Sequence, residues 1–285
     1  MLLLSSVLGL ISMFAYGFAS AFSKPLANKF DPIQVIYLRG LIICLILAIL
    51  SIPHYQDLAH IKYIFLALGL GIVGYLPSLA FMYSIKNSPL GIVAPIAGAS
   101  PFITVLLSFI FLNIPIKSLQ WLAIFLIIIA NMVVAINIRD WRRSNIFKLS
   151  SGVPFALMAT IGWGLFYFLL VPITKHIDPW LSALFVEVGV TLMASLHIQL
   201  TNRKLSIKDI KKNPIILNGI LICLGTLGFT IGVQYFNVGI VETLSNSTAL
   251  ITIVLSIYLF HEHLHLKERL SSLIMILGII ILSIF

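Results

Sequence analysis

Charge is what this sequence has least of. Only 9% of its 285 residues are Asp, Glu, Lys or Arg, and only nine are acidic. A soluble domain carries about 25%, so an ordinary water-soluble fold is excluded. Cysteine is nearly absent too. Cys44 and Cys223 both lie inside apolar runs, which excludes a disulfide framework or a cysteine-based metal site and leaves two small core residues. No GxxxxGK[ST] loop occurs, and no polar stretch is long enough to fold into a nucleotide-binding domain, so nothing points to ATP-driven work. Within the apolar runs there is neither an HExxH motif nor a pair of acids, so an intramembrane hydrolase lacks its machinery. No cofactor or metal is expected. A basic segment is also lacking ahead of the first apolar run. Met1–Ser23 is therefore expected to be a retained helix, although Ala19-Ser20-Ala21 resembles a signal-peptidase site.

What is present is hydrophobic, at 60% of residues and a mean hydropathy of +1.10. The expected class is an all-α polytopic membrane protein. Ten spans are expected, near 3–24, 32–52, 61–84, 89–112, 118–138, 152–174, 179–200, 214–235, 239–260 and 266–285, each reaching the roughly 20 residues a bilayer requires. The formal charge of +9 and pI near 9.6 fit basic cytoplasmic loops and do not call for nucleic acid.

The chain also repeats itself. A shift of 148 (239 − 91) carries Gly91 onto Gly239, Ile103-Thr104 onto Ile251-Thr252, and Leu107-Ser108 onto Leu255-Ser256. A shift of 147 (178 − 31) carries Tyr16-Gly17 onto Trp163-Gly164, Pro25 onto Pro172, and Asp31-Pro32 onto Asp178-Pro179. Two units follow, 1–146 and 147–285, each of five helices. Because five is odd, the second unit enters the membrane in the opposite sense. Inverted repeats of this kind suit a carrier that exposes a central site to alternate sides.

The basic residues give the orientation. The expected odd-numbered connections hold fourteen Lys and Arg, and the even-numbered ones only Lys62, Lys117 and Lys175. The positive-inside rule then puts both termini on the non-cytoplasmic side of the cell's inner membrane.

Tyr16-Gly17 and Trp163-Gly164, Tyr37-Leu38-Arg39, Ser100-Pro101-Phe102, and Phe260-His261-Glu262-His263-Leu264 together resemble the EamA-type members of the drug/metabolite transporter (DMT) superfamily, across nearly the whole chain. The resemblance implies a ten-helix carrier with a cavity between the halves and peripheral fifth and tenth helices. Three departures stand out. Ile114 replaces the acid found at Glu262, Ala249 stands opposite Pro101, and Pro53–His60 is nearly neutral where relatives are basic.

Arg39, the remaining basic residue, lies well inside a span, where a charge costs roughly 2.5–3.5 kcal/mol on the lenient insertion scale. It must face a partner or a wet cavity, and so becomes a candidate anchor for a substrate carboxylate, or one arm of a structural ion pair. Glu187 falls on Gly40 under the 147 shift, beside Arg39 in the companion helix. It is a candidate for a substrate ammonium and for proton coupling, because a carboxyl that exchanges a cationic partner for an apolar cavity exchanges its charged for its neutral form. Trp163, Tyr16 and Tyr83 are candidate aromatic walls that could stack on a ring or hold a cation. Asn246 and Ser245, with Ser247 and Thr248, form a polar patch in an apolar helix. Glu242 fits an interfacial cap near a helix start. His261, His263 and His265 alternate too closely to share one helix face and are expected in a loop. Pro77, Pro95, Pro101, Pro154 and Pro172 are expected kinks that free backbone groups near a cavity.

The expected function is secondary active transport of a small polar metabolite, with an amino acid or similar zwitterion as the best fit and export as the expected direction. The alternative is a carrier or flippase for a cationic or aromatic metabolite or a lipid-linked substrate. The expected partners are the substrate and the lipid bilayer, with the chain a monomer or a homodimer through its peripheral helices.

Overall fold

A computed structural model describes residues 2–135, 151–203, 214–260 and 266–284, and every regular element among them is helical. In chain order these are α1 (Leu2–Lys29), α2 (Pro32–Leu50), a 3-10 turn (Ile52–Ala59), α3 (Ile61–Asn87), α4 (Leu90–Ala97), α5 (Pro101–Leu112) and α6 (Ser118–Ala135). They continue as α7 (Val153–Thr174), α8 (Pro179–Leu200), α9 (Ile215–Tyr235), α10 (Val238–Ser245), α11 (Thr248–Phe260) and α12 (Leu266–Ile284). Among the described residues, seven stretches are long and apolar enough to cross a bilayer, counting Leu90–Leu112 across its break. Shorter apolar runs, Ser118–Val133 and Arg269–Ile281, lie in α6 and α12.

The helix starts are written in the sequence. Asp31 and Asp178 cap α2 and α8, each accepting from a backbone N–H two residues on, at 2.9 Å from Ile33 N and from Trp180 N. Each is followed by proline at the first helical position, where the missing N–H costs nothing. Asn237 caps α10 in the same way, accepting from Gly239 N at 2.9 Å. Asn113, with φ of 50°, ends α5 in the left-handed region that asparagine tolerates.

Two spans are broken in mid-course. The α4–α5 span opens at Gly98–Ser100, ahead of Pro101, and the α10–α11 span opens at Asn246–Ser247. α1 differs from expectation by running through Pro25 to Lys29, about 42 Å at 1.5 Å per residue. Lys24 therefore lies on the helix and not in a loop. Its ammonium donates to the carbonyls of Ile85 and Ser88, the latter at 2.8 Å. The open carbonyls at the end of α3 thus gain a cation, which the helix dipole favours. The basic connection 139–150, most of 201–213, and His261, Glu262, His263 and His265 lie outside the described residues.

Packing is set by small residues. α3 lies along α7 and α8, α2 against α8 and α9, and α1 against α9, α10 and α11. A Cβ at Gly71 would collide with the Val186 carbonyl, and one at Gly189 with the Leu68 carbonyl. Glycine on both helices lets α3 and α8 touch backbone to backbone, the usual means of close approach in lipid. α6 and α12 pack on each other and contribute nothing to the central cavity. Outward-facing Leu45, Phe65, Leu76, Phe111, Ile129 and Leu277 are each more than half exposed, as expected of a surface solvated by acyl chains.

Candidate functional site

A cavity of about 140 Å³ lies at the centre of the helices. A single water requires about 10–15 Å³ on the same measure, so the space suits a ligand of roughly ten heavy atoms. α1, α2, α3, α4, α7, α8 and α9 supply its walls, and Asn246, in the break after α10, and Thr248, at the start of α11, reach it too. Gly98, at the other break, lines it too.

Arg39 enters from α2 and Glu187 from α8. They act on each other electrostatically, yet they form no ion pair within 4.0 Å. Opposite charges thus face one cavity without neutralising each other by contact. Thr226 of α9 lies beside Glu187 and accepts from the Tyr16 hydroxyl at 3.2 Å. On the α7 wall, Trp163 packs against Phe81 at 5.1 Å between ring centroids, and Tyr167 against Phe229 at 4.4 Å.

Of the residues singled out in the sequence, Arg39, Glu187, Trp163, Tyr16 and Asn246 line the cavity and Tyr83 and Ser245 do not. Tyr83 points to Phe155, 5.7 Å between ring centroids. Ser245 is buried in α10 with no hydrogen-bond partner for its hydroxyl. Asn246 lines the wall while its side-chain amide donates to the Glu242 carbonyl at 3.2 Å.

Glu242 departs most from expectation. It is no interfacial cap. Its side chain is fully buried, and its Oε1 lies 2.8 Å from the Thr104 hydroxyl.

Ser78 and Thr226, which are not among the candidates above, also lie in the cavity wall. A signal was present, because the shift of 148 places Thr226 on Ser78 (226 − 148 = 78).

Contacts between the first 146 residues and the remainder bridge both ends of the cavity. At the end where α2 begins, Arg203 pairs with Asp31, Gly152 N donates to Ser88 Oγ at 2.9 Å, and Asn218 Nδ2 donates to the Ala19 carbonyl at 2.7 Å. At the other end His54 Nδ1 meets Asp178 Oδ2 at 2.9 Å, Asp178 N donates to Asp57 Oδ2 at 2.6 Å, and Tyr63 stacks on His176 at 4.1 Å. The two capping aspartates, Asp31 and Asp178, are therefore each held by a basic side chain from the other half of the chain. The pairs are part-exposed, and such pairs contribute only about 0–1 kcal/mol.

The family model of EamA-like transporters matches residues 3–136 and, a second time, residues 150–284. An uncharacterized protein of Methanocaldococcus jannaschii is 30% identical over 135 residues, which is 46% of this chain and 96% of that relative. A crystal structure of another protein superposes with a TM-score of 0.74 at 13% identity, covering 98% of this chain and 96% of the other. That likeness speaks to the fold alone.

Proposed function

The chain belongs to the EamA-like transporter family, part of the drug/metabolite transporter superfamily, and from that premise we propose that it is a secondary carrier for a small zwitterion. An amino acid fits best, moved outward across the inner membrane by alternating access. One observation carries the reading: Arg39 and Glu187 face a single cavity of metabolite size with opposite charges and no direct bridge. A carboxylate on the ligand would answer Arg39, and its ammonium Glu187. Buried ion pairs formed with good geometry recover the cost of removing both charges from water, whereas either charge alone does not. Glu187 would also take a proton when no cation faces it.

The inverted repeat is part of this proposal. The second family match, the relative no longer than one half, and the break at Gly98–Ser100 falling on Asn246–Thr248 at a shift of 148 support it. Rocking one half against the other would release the Asp31–Arg203 and His54–Asp178 ends alternately. The unit boundary is placed between residues 146 and 147. With fourteen basic residues assigned to one side, both termini would face away from the cytoplasm. A reporter enzyme fused after Phe285 is expected to register the non-cytoplasmic side, and a clear cytoplasmic signal would reverse the orientation.

A second reading draws on the α7 wall. Trp163, Tyr167 and Phe166 there, with Tyr16 and Phe81, would also hold an aromatic or cationic ligand. Thermal unfolding of the purified protein separates the two readings, since a ligand bound only by the folded state stabilises it. Amino acids, polyamines, quaternary amines, nucleosides and sugar phosphates form the screen. Stabilisation by amino acids that disappears in Arg39→Ala supports the zwitterion. Stabilisation by amines or aromatics alone, unchanged in Arg39→Ala, transfers the site to the aromatic wall.

A further inference from the structure

Glu242 belongs to α10, the half-helix that ends at the second break, and it is fully buried. It does not line the cavity. Asn246, one turn further along, is in the wall, and the Tyr167 phenol is close enough to feel the charge of Glu242. Its Oε2 is sealed from solvent and has no hydrogen-bond partner. Ser100, in the first break, is also near the carboxyl and fully buried, but its hydroxyl makes no hydrogen bond to it.

The helices packed against α10 are α1, α5, α6, α9 and α12. Of their titratable and charged groups, Tyr16, Lys24 and Lys29 on α1, Cys223 and Tyr235 on α9, and Arg269 on α12 make no ion pair with Glu242. α5 and the described part of α6 carry none. Tyr167 comes from α7, and Tyr16 and Glu187 act on Tyr167 in turn. A buried carboxylate with a hydroxyl beside it and no cation is a costly arrangement, whereas its neutral acid is not.

The hydrogen bonds of Thr104 decide which form is present. Thr104 Oγ1 lies 2.8 Å from Glu242 Oε1 and 2.8 Å from the Gly164 carbonyl. A hydroxyl has one hydrogen, and the carbonyl can only accept. Both short contacts are satisfied together only if Thr104 donates to Gly164 and Glu242 donates to Thr104. We propose that Glu242 is a proton-binding site of the transport cycle, its proton reported to the cavity wall through the Thr104 hydroxyl.

When the halves part and water reaches Oε1, the proton leaves to that water. Thr104 then turns its hydrogen to the carboxylate, and the Gly164 carbonyl, next to Trp163, loses the bond. Thr104 stands on α5 of the first half, Glu242 and Gly164 in the second. The proton therefore governs a contact between the halves, at the crossing of their two breaks. The inference rests on the reading of the chain as a coupled carrier, but its test needs no substrate.

Infrared difference spectra of the reconstituted protein, taken across a pH titration, report the C=O stretch of a protonated carboxyl. The expected result is a protonated-acid band at neutral pH that is lost in Glu242→Gln and kept in Glu187→Gln. Thr104→Val removes the hydroxyl without touching the acid, and in it the band should remain and shift in frequency. It serves also if Glu242→Gln does not fold. No protonated-acid band in the wild type, a protonated-acid region unchanged in Glu242→Gln, or an unshifted band in Thr104→Val would each overturn the proposal. Failure of the zwitterion reading alone would leave these spectra unchanged.

Discussion

Replacing Glu187 by Gln is expected to abolish transport of the zwitterion while leaving a folded protein. The substitution keeps shape and removes one charge, so Arg39 loses its counter-charge and a substrate ammonium loses its partner. Truncating one member of a desolvated charge pair costs about 2–5 kcal/mol, which is at least about thirtyfold in apparent affinity. Arg39→Ala should lose a similar amount through the carboxylate. The two together should lose less than the sum, because each single change already breaks the same ligand geometry. Uptake by reconstituted vesicles, with a gel-filtration profile matching the wild type, is the measurement. Unchanged, pH-dependent transport by Glu187→Gln would remove Glu187 from both binding and coupling.

The second large effect is structural. Gly189→Val is expected to prevent assembly of the fold, because any Cβ at Gly189 collides with the Leu68 carbonyl, a backbone atom that cannot swing aside. Opening the α3–α8 crossing to fit the side chain would also separate Gly71 from Val186. Overpacking typically costs about 1–3 kcal/mol, and more where both neighbours are backbone. Against a total of about 5–15 kcal/mol that is a large fraction. Gly69→Ala is the control. A Cβ there meets nothing within 4 Å, and alanine is the better helix former by about 0.5–1 kcal/mol. It should fold at least as well as the wild type. If Gly189→Val yields wild-type amounts of monodisperse protein and Gly69→Ala does not, the packing account fails.

The sequence announces its spans because each long run of apolar residues has no other stable use. Its helix starts are equally legible, since Asp31-Pro32 and Asp178-Pro179 carry both halves of a capping signal. What it conceals is which way a side chain faces. In a soluble helix the polar face marks the outside, but here the lipid-facing and core-facing sides are both apolar. Arg39 and Glu187 escape this ambiguity, because a charge inside a span must find the cavity or a partner. Tyr83 does not escape it. The same aromatic ring that would suit a cavity packs equally well on Phe155.

Glu242 was obscured for a related reason. Read as part of one continuous helix it sits near an end, where a carboxylate favours the interface. The chain buries α10 under α1 and α5 and places Thr104 against Glu242. The small polar residues Ser78 and Thr226 carry too little charge to announce themselves singly. They become visible only when the two halves are laid over each other.

The central claim, that one site recognises both charges of a small zwitterion, is tested most directly with three ligands of one carbon skeleton: an amino acid, the amine it becomes on losing its carboxylate, and the acid it becomes on losing its ammonium. Each is added to the purified protein, and the unfolding temperature is followed. At a hundred times its dissociation constant a ligand stabilises the folded state by about 2.7 kcal/mol. The account predicts that the amino acid raises the melting temperature at concentrations where neither the amine nor the acid does, and that Arg39→Ala and Glu187→Gln each remove the effect. Equal stabilisation by the amine and the amino acid, persisting in Arg39→Ala, would contradict it.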